Sequence, residues 1–292
     1  MRIRGFTVVE LVVSVAIVAV TIVILVHSQN HARTLVRLSD DKWNVRTVAI
    51  SFSLWAGHHH DKYPLPSEID TDNATVSEVG RAKDTTANIL SLMVDSCALV
   101  GNDLISPLEP NEKISKLESY EFDQPAAAVD PTNARWDPIL RADFTSHEGG
   151  HVSYAHLIPV GKRLDMWKST GNSEEAIVSN RGPQFAWSNR ERGTVTSAFS
   201  DLSSLVLRAS GGAKPTRFWS GHIAYNDLRV EMHDELYTHN KEVGTSSDHR
   251  TLTGTEDHDV LFADEEGFET NLFLGIFTSA GETKEDYTAI WD

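Results

Sequence analysis

The sequence predicts an α+β protein. A long N-terminal helical spine, membrane-spanning in its first half, packs on a globular domain built mainly of antiparallel β-sheet. Three observations lead there. The 21 residues from Phe6 to Val26 are apolar except for Thr7, Glu10, Ser14 and Thr21. No Gly or Pro interrupts the chain from Phe6 to Ala56. Beyond Lys62 the composition changes to short apolar runs divided by Asp, Asn, Gly and Pro, and after residue 150 these read as strands.

The spine comes first. At about 1.5 Å per residue, a 21-residue helix spans about 32 Å, close to the hydrocarbon thickness of a bilayer. Many of its residues are Val and Ile, mediocre helix formers in water, but in lipid the backbone must satisfy its own hydrogen bonds and a helix is forced. Arg2 and Arg4 precede the run, so the positive-inside bias keeps the N-terminus in the cytoplasm and sends the rest outward. The exit, His27-Ser28-Gln29-Asn30-His31-Ala32, has no Ala-x-Ala-like cleavage site. Further on, Val45, Val48, Ala49, Phe52 and Trp55 recur at three- and four-residue intervals, one face of a continuing helix. Gly57 supplies a stop, followed by Pro64 and Pro66.

The domain, 57–292, begins with a loop and a helix within 67–100, whose apolar side is Ile89, Leu90, Leu92, Met93 and Val94. Residues 103–150 read as irregular, punctuated by Pro107, Pro110, Pro125, Pro131 and Pro138. In FWSGHIAYNDLRVEMHD, Ile223 and Tyr225 alternate with smaller residues, Asn226-Asp227 suits a tight turn, and Val230 and Met232 alternate on the return. That is a β-hairpin.

Glu10 is the anomaly. A carboxylate at the centre of a membrane span costs on the order of 2.5–3.5 kcal/mol, less near an end. It is either a tolerated group snorkelling at the cytoplasmic end or a functional one. The pattern around it, a short basic leader ending in Gly5, then Phe6-Thr7-x-x-Glu10 and a long apolar helix, resembles the class III signal of type IV prepilins and of the pseudopilins of type II secretion. The stretches SYAHLIPV and LFLGIFTSAGETKEDYTAIWD also resemble, more loosely, large groups of prepilin-like proteins. The resemblance implies a pilin-like fold, with residues 1–5 a leader and 6–56 the spine. It implies that a prepilin peptidase cuts after Gly5 and methylates the new amine of Phe6. In that family the carboxylate at the position of Glu10 neutralises the amine of a neighbouring subunit, which makes it an assembly residue, since pairing a charge in a low-dielectric bundle is favourable. Other pilin-like subunits, the lipid bilayer and a membrane assembly machinery with a separate ATPase would be the partners.

Composition bounds the partners. Net charge is −16, and removing Arg2 and Arg4 leaves 24 basic against 42 acidic side chains, or −18. Such a surface argues against nucleic acid as a partner. Cys97 is the only cysteine, so no intrachain disulfide forms, and it is expected to be a buried thiol. No cofactor, metal or catalytic residue is assigned. His58-His59-His60-Asp61 reads as a solvated helix exit rather than a metal site. The acidic tract Glu256-Asp257-His258-Asp259 and Asp264-Glu265-Glu266 lacks EF-hand spacing and reads as a solvated loop, with a calcium ion as the rival. His147, Glu148, His151 and His156 form no His-Glu-x-x-His helix, and neither a nucleophile elbow nor a phosphate loop is present. Trp187, Phe218, Trp219 and Tyr225 read as core.

The expectation is therefore a non-enzymatic subunit of a type IV pilus or a type II secretion pseudopilus. It is a single-pass protein of the cytoplasmic (inner) membrane, later part of a periplasmic or cell-surface filament. The rival is a membrane-anchored extracytoplasmic binding protein that does not polymerise and gives Glu10 no assembly role.

Overall fold

The computed structural model describes residues 7–187, 195–198, 219–233, 237–239, 258–262, 264 and 272–291. The chain is α+β, with a long apolar N-terminal helix, then helices packed on a six-stranded antiparallel sheet. Helix α1 runs Val8–Ala56, ending at the residue before Gly57. It is followed by α2, Pro66–Ile69, and α3, Thr86–Asp95. Among the described residues ten strands follow: β1 Tyr154–Leu157, β2 Ala176–Asn180, β3 Gln184–Trp187, β4 Val195–Ala198, β5 Gly221–Tyr225, β6 Val230–His233, β7 Tyr237–His239, β8 His258–Val260, β9 Leu274–Ser279 and β10 Thr288–Ile290. The main sheet has the order β10-β9-β1-β2-β5-β6, and β3-β4 and β7-β8 are separate antiparallel pairs.

Contacts divide the chain into Met1–Asp40 and Asp41–Asp292. In the second unit, the α1 residues Val45, Val48, Ala49, Phe52 and Ala56 are buried in one cluster with Ile89, Leu90, Leu92 and Met93 of α3 and the apolar side chains of β1, β2, β5 and β9. The helical stripe read from the sequence is thus the buried face. Phe52, Tyr63 and Trp167 interlock there with ring centroids 5.3 to 5.8 Å apart. Strands β1, β2 and β5 are buried at every residue, so the centre of the sheet is covered on both faces. That is why Tyr-Ala-His-Leu and Ala-Ile-Val-Ser-Asn show no polar alternation, whereas edge strand β6 is buried only at Val230 and otherwise open.

The segment 103–150 has no strand of its own. It is held by backbone bonds such as Gly150 N–H to Lys113 O (3.0 Å), Ser115 N–H to Gly150 O (3.0 Å) and Ser153 N–H to Leu104 O (2.9 Å). Gly149 sits at φ +72°, where a Cβ would also collide with the Lys113 carbonyl, so only glycine fits.

The β5–β6 hairpin forms with Ile223 opposite Glu231 and Ala224 opposite Val230. Its loop is one residue longer than the two-residue turn read from Asn226-Asp227. Leu228 N–H bonds Tyr225 O (2.8 Å), Tyr225 N–H bonds Arg229 O (3.0 Å), and Leu228 takes the left-handed position at φ +65°.

Cys97 is a correction: its side chain is exposed, not buried. Helix α3 stops at Asp95, and Cys97 occupies the left-handed residue beyond it at φ +57°. There Cys97 N–H bonds Val94 O (3.0 Å) and Ala98 N–H bonds Met93 O (3.2 Å), the paired closure of a Schellman motif. The reversal turns the thiol to solvent. Because the position favours glycine and the side chain buries nothing, Cys97→Gly is expected to stabilise the fold by up to about 1 kcal/mol, read as a raised midpoint in thermal unfolding. A lowered midpoint would contradict the assignment.

Candidate functional site

The predicted processing residues Gly5 and Phe6 lie outside the described residues. The described chain opens on Thr7 and Glu10. Thr7 N–H and Thr7 Oγ1 both donate to Glu10 Oε2 (2.8 Å each), and Glu10 N–H reaches back to Thr7 Oγ1 (3.3 Å). This is a capping box: the first turn of α1 closes its own orphan donors, with Glu10 as the acidic member. The other two polar side chains of the run fold onto the same helix, Ser14 Oγ to Glu10 O (2.7 Å) and Thr21 Oγ1 to Ile17 O (2.8 Å). Hydroxyls are therefore satisfied without water. Val8–Leu25 has a mean hydropathy of 3.0 and none of it is buried, a helix long and apolar enough for a membrane anchor or a signal sequence.

A second polar centre lies inside the compact unit Asp41–Asp292. Asp41 is fully buried. Its Oδ1 accepts from Ser106 Oγ (2.5 Å), Asn180 Nδ2 (3.0 Å) and Tyr154 OH (3.1 Å). Its Oδ2 accepts from His222 Nδ1 (2.6 Å), which must carry the proton because the carboxylate can only accept. Asn180 Oδ1 in turn takes the His222 backbone N–H (2.6 Å). One side chain of α1 thereby ties together β1, β2, β5 and the loop carrying Ser106. Burial, then the Asp41 charge, hold the Tyr154 phenol well above its ordinary pKa, so it stays a donor. All four donors are directed at one carboxylate, an arrangement that fixes geometry.

Sequence reasoning passed over Asp41, although a signal existed. It falls on the stripe Asp41, Val45, Val48, Phe52, the buried face of the helix, while Asp40 is exposed. A buried ion pair, Lys83 Nζ to Asp70 Oδ2 (2.7 Å), closes the loop before α3. Burial raises the Asp70 pKa, but Lys83 and the N–H groups of Thr75 and Val76 outweigh it and hold the group below the ordinary carboxylate range.

The remaining candidates are dispersed. His59 stacks on Trp55 (3.7 Å, parallel) and its Nδ1 contacts Trp55 O (2.8 Å), while His60 and Asp61 take left-handed backbone as the helix ends. His151 Nδ1 meets Ser115 O (2.9 Å), and His156 is buried against Thr86; His147 and Glu148 are exposed, Glu148 facing Arg141 (3.3 Å). Asp264 is held between Arg163 (2.6 Å) and Lys284 (3.2 Å). Glu256, Asp257, Glu265 and Glu266, the side chains of His258 and Asp259, Phe218 and the side chain of Trp187 lie outside the described residues. Trp219 and Tyr225 are buried in the core, as read. Among the described residues, no three His, Cys, Asp or Glu side chains converge as a metal set.

Comparison with protein-family models, with curated proteins and with solved structures finds no match. What the chain itself defines is an α+β protein led by an apolar helix.

Proposed function

We propose that this protein is a structural subunit, a pilin or pseudopilin of a type IV pilus or type II secretion pseudopilus, trimmed after Gly5 and assembled through its N-terminal helix. The observation that carries the reading is the conjunction of Gly5-Phe6-Thr7-x-x-Glu10 with a helix that is wholly exposed and apolar over Val8–Leu25 and continues unbroken to Ala56. An exposed apolar surface of that size needs lipid or other helices around it. Cleavage would leave a cationic amine one residue before the Thr7–Glu10 box, and a carboxylate with capacity beyond its local bonds can take a neighbour's amine. Asp41 would hold the exposed domain to its spine.

The test is the N-terminal mass and sequence of the protein from its native membrane. A chain starting at methylated Phe6 supports the reading, and one starting at Met1 overturns the processing step. Glu10 is then tested by two substitutions. Glu10→Gln keeps the capping box, which accepts either Glu or Gln at this position, but removes the charge. Glu10→Ala removes both. Recovery of partner pilins is expected to fall in both variants alike if the charge pairs with an amine. Recovery retained by Glu10→Gln and lost by Glu10→Ala would reduce Glu10 to a helix cap.

A further inference from the structure

Two exposed surfaces of the compact unit Asp41–Asp292 combine unburied apolar side chains with opposite charge. The first is the solvent face of α1 as it crosses the domain. Trp43 is 63% exposed and Leu54 59%, and with half-buried Ile50 they stand seven and four residues apart, on one stripe of the helix. From Lys42 to Ala56 the helix carries two basic residues, Lys42 and Arg46, both exposed, and no acidic one.

The second is the loop 117–134. Phe122 is 60% exposed and Val129 61%. The loop contains Glu118, Glu121, Asp123 and Asp130 and no Lys or Arg. Its backbone is pinned: Tyr120 OH donates to Ser91 O (2.8 Å), Glu121 N–H to the Asp137 carboxylate (2.9 Å), Val129 N–H to Thr75 O (3.2 Å) and Asp130 N–H to Ala74 O (2.7 Å). Phe122 and Val129 are thus held out to solvent by an anchored loop. Both surfaces are open within one chain, so neither covers the other.

We infer that the basic, aromatic face of α1 in one copy docks on the acidic loop 117–134 of a second copy. Trp and Arg are the side chains that most often anchor such contacts, and Phe122 and Val129 supply an apolar counterpart. The flanking charges select the pairing, because each surface repels its own kind. A twofold dimer that set like surfaces together is disfavoured. Repeated head to tail, such a contact leaves one surface of each copy free for the next, the geometry of an open chain; made reciprocally about a twofold axis, it closes as a dimer. The inference rests on the assembly reading and adds to it a contact between domains, separate from the one between N-terminal helices.

The experiment uses the full chain in detergent micelles, mixing ordinary and nitrogen-15-labelled copies and joining amines to carboxylates with a zero-length carbodiimide. Mixed-isotope peptides linking Lys42 to Glu118, Glu121 or Asp123 are expected by mass spectrometry. Two charge-swapped chains, Lys42→Glu with Arg46→Glu and Glu118→Lys with Asp123→Lys, change only exposed residues and keep Glu121, whose carboxylate takes Ala126 N–H (2.7 Å). The first variant lacks the reacting amine, so its lost product follows from chemistry alone; in the second, Glu121 is still present and its link to Lys42 is expected to fall by about tenfold or more, since the basic face then meets added basic residues. An equimolar mixture of the two restores complementarity and is expected to recover the products, Lys42 of the second variant joined to the unmodified loop of the first and, with the roles exchanged, position 42 of the first joined to 118 or 123 of the second. Absence of the products in the unmodified chain, persistence of the Lys42–Glu121 link in the second variant, or failure of the mixture to restore the products overturns the inference. The same crosslink measured in Glu10→Ala separates the two contacts: helix assembly can fail there while domain docking persists, and an unprocessed N-terminus refutes the assembly reading without touching this result.

Discussion

Asp41→Ala is expected to destabilise the compact unit by about 3–5 kcal/mol, among the largest losses a single substitution can cause. Removing the carboxylate leaves Ser106, Tyr154, Asn180 and His222 as buried donors aimed at nothing. The cavity adds to the cost because those side chains are fixed by their own strands. Urea unfolding of Asp41→Ala measures the effect as a lowered midpoint. In a double-mutant cycle with His222→Ala, the two losses are expected to be strongly non-additive, since the pair shares one charge-assisted bond. A loss of less than about 1 kcal/mol would show that the cluster is dispensable to folding.

Acid is expected to weaken the fold through His156 before ordinary carboxylates titrate. Its Nδ1 faces the Leu157 carbonyl (2.8 Å), which only accepts, so Nδ1 carries the proton and Nε2 accepts from Thr86 Oγ1 (2.8 Å). Thr86 Oγ1 in turn receives Phe277 N–H (2.7 Å), locking the neutral ring between α3 and β9. Burial lowers the His156 pKa to about 4, and the Leu157 bond opposes it only in part. Because the folded value lies below the ordinary one of about 6.5, the unfolded chain binds the extra proton in between. The contribution is therefore complete above pH about 6.5 and is lost as pH falls toward 4, on the order of 3 kcal/mol in all. Asp84 and Glu175, raised chiefly by burial, pull the other way as they protonate, so the net slope is shallower than His156 alone would give. His156→Leu should flatten the dependence above pH 4.5. Wild-type stability that is flat between pH 6.5 and 4.5 would contradict the account.

What the sequence made legible was local. The end of α1 at Gly57, the apolar face of α3 and the β5–β6 hairpin each follow from periodicity and a breaker within one stretch. The sheet order was not legible, because the adjacency of β9 to β1 joins segments more than 100 residues apart and rests on burial of both faces rather than on alternation. Cys97 was misread because the left-handed stop after α3 is made by cysteine where glycine would have announced it. At the candidate site, Glu10 drew attention as a charge in an apolar run, and that hid its second identity, as the acidic end of a Thr-x-x-Glu cap. Asp41 was hidden beside Asp40, since a pair of acidic residues reads as solvated until one of them is seen to share a face with Val45 and Phe52.

The attachment of Asp41 has a mechanical side. A pull on Asp41 is met, within the compact unit, by Tyr154, Asn180 and His222, one side chain from each of three neighbouring strands, and by Ser106 from a loop. Strain is thereby shared across the middle of the sheet, β1, β2 and β5, before it falls on the edge strands β6 and β10.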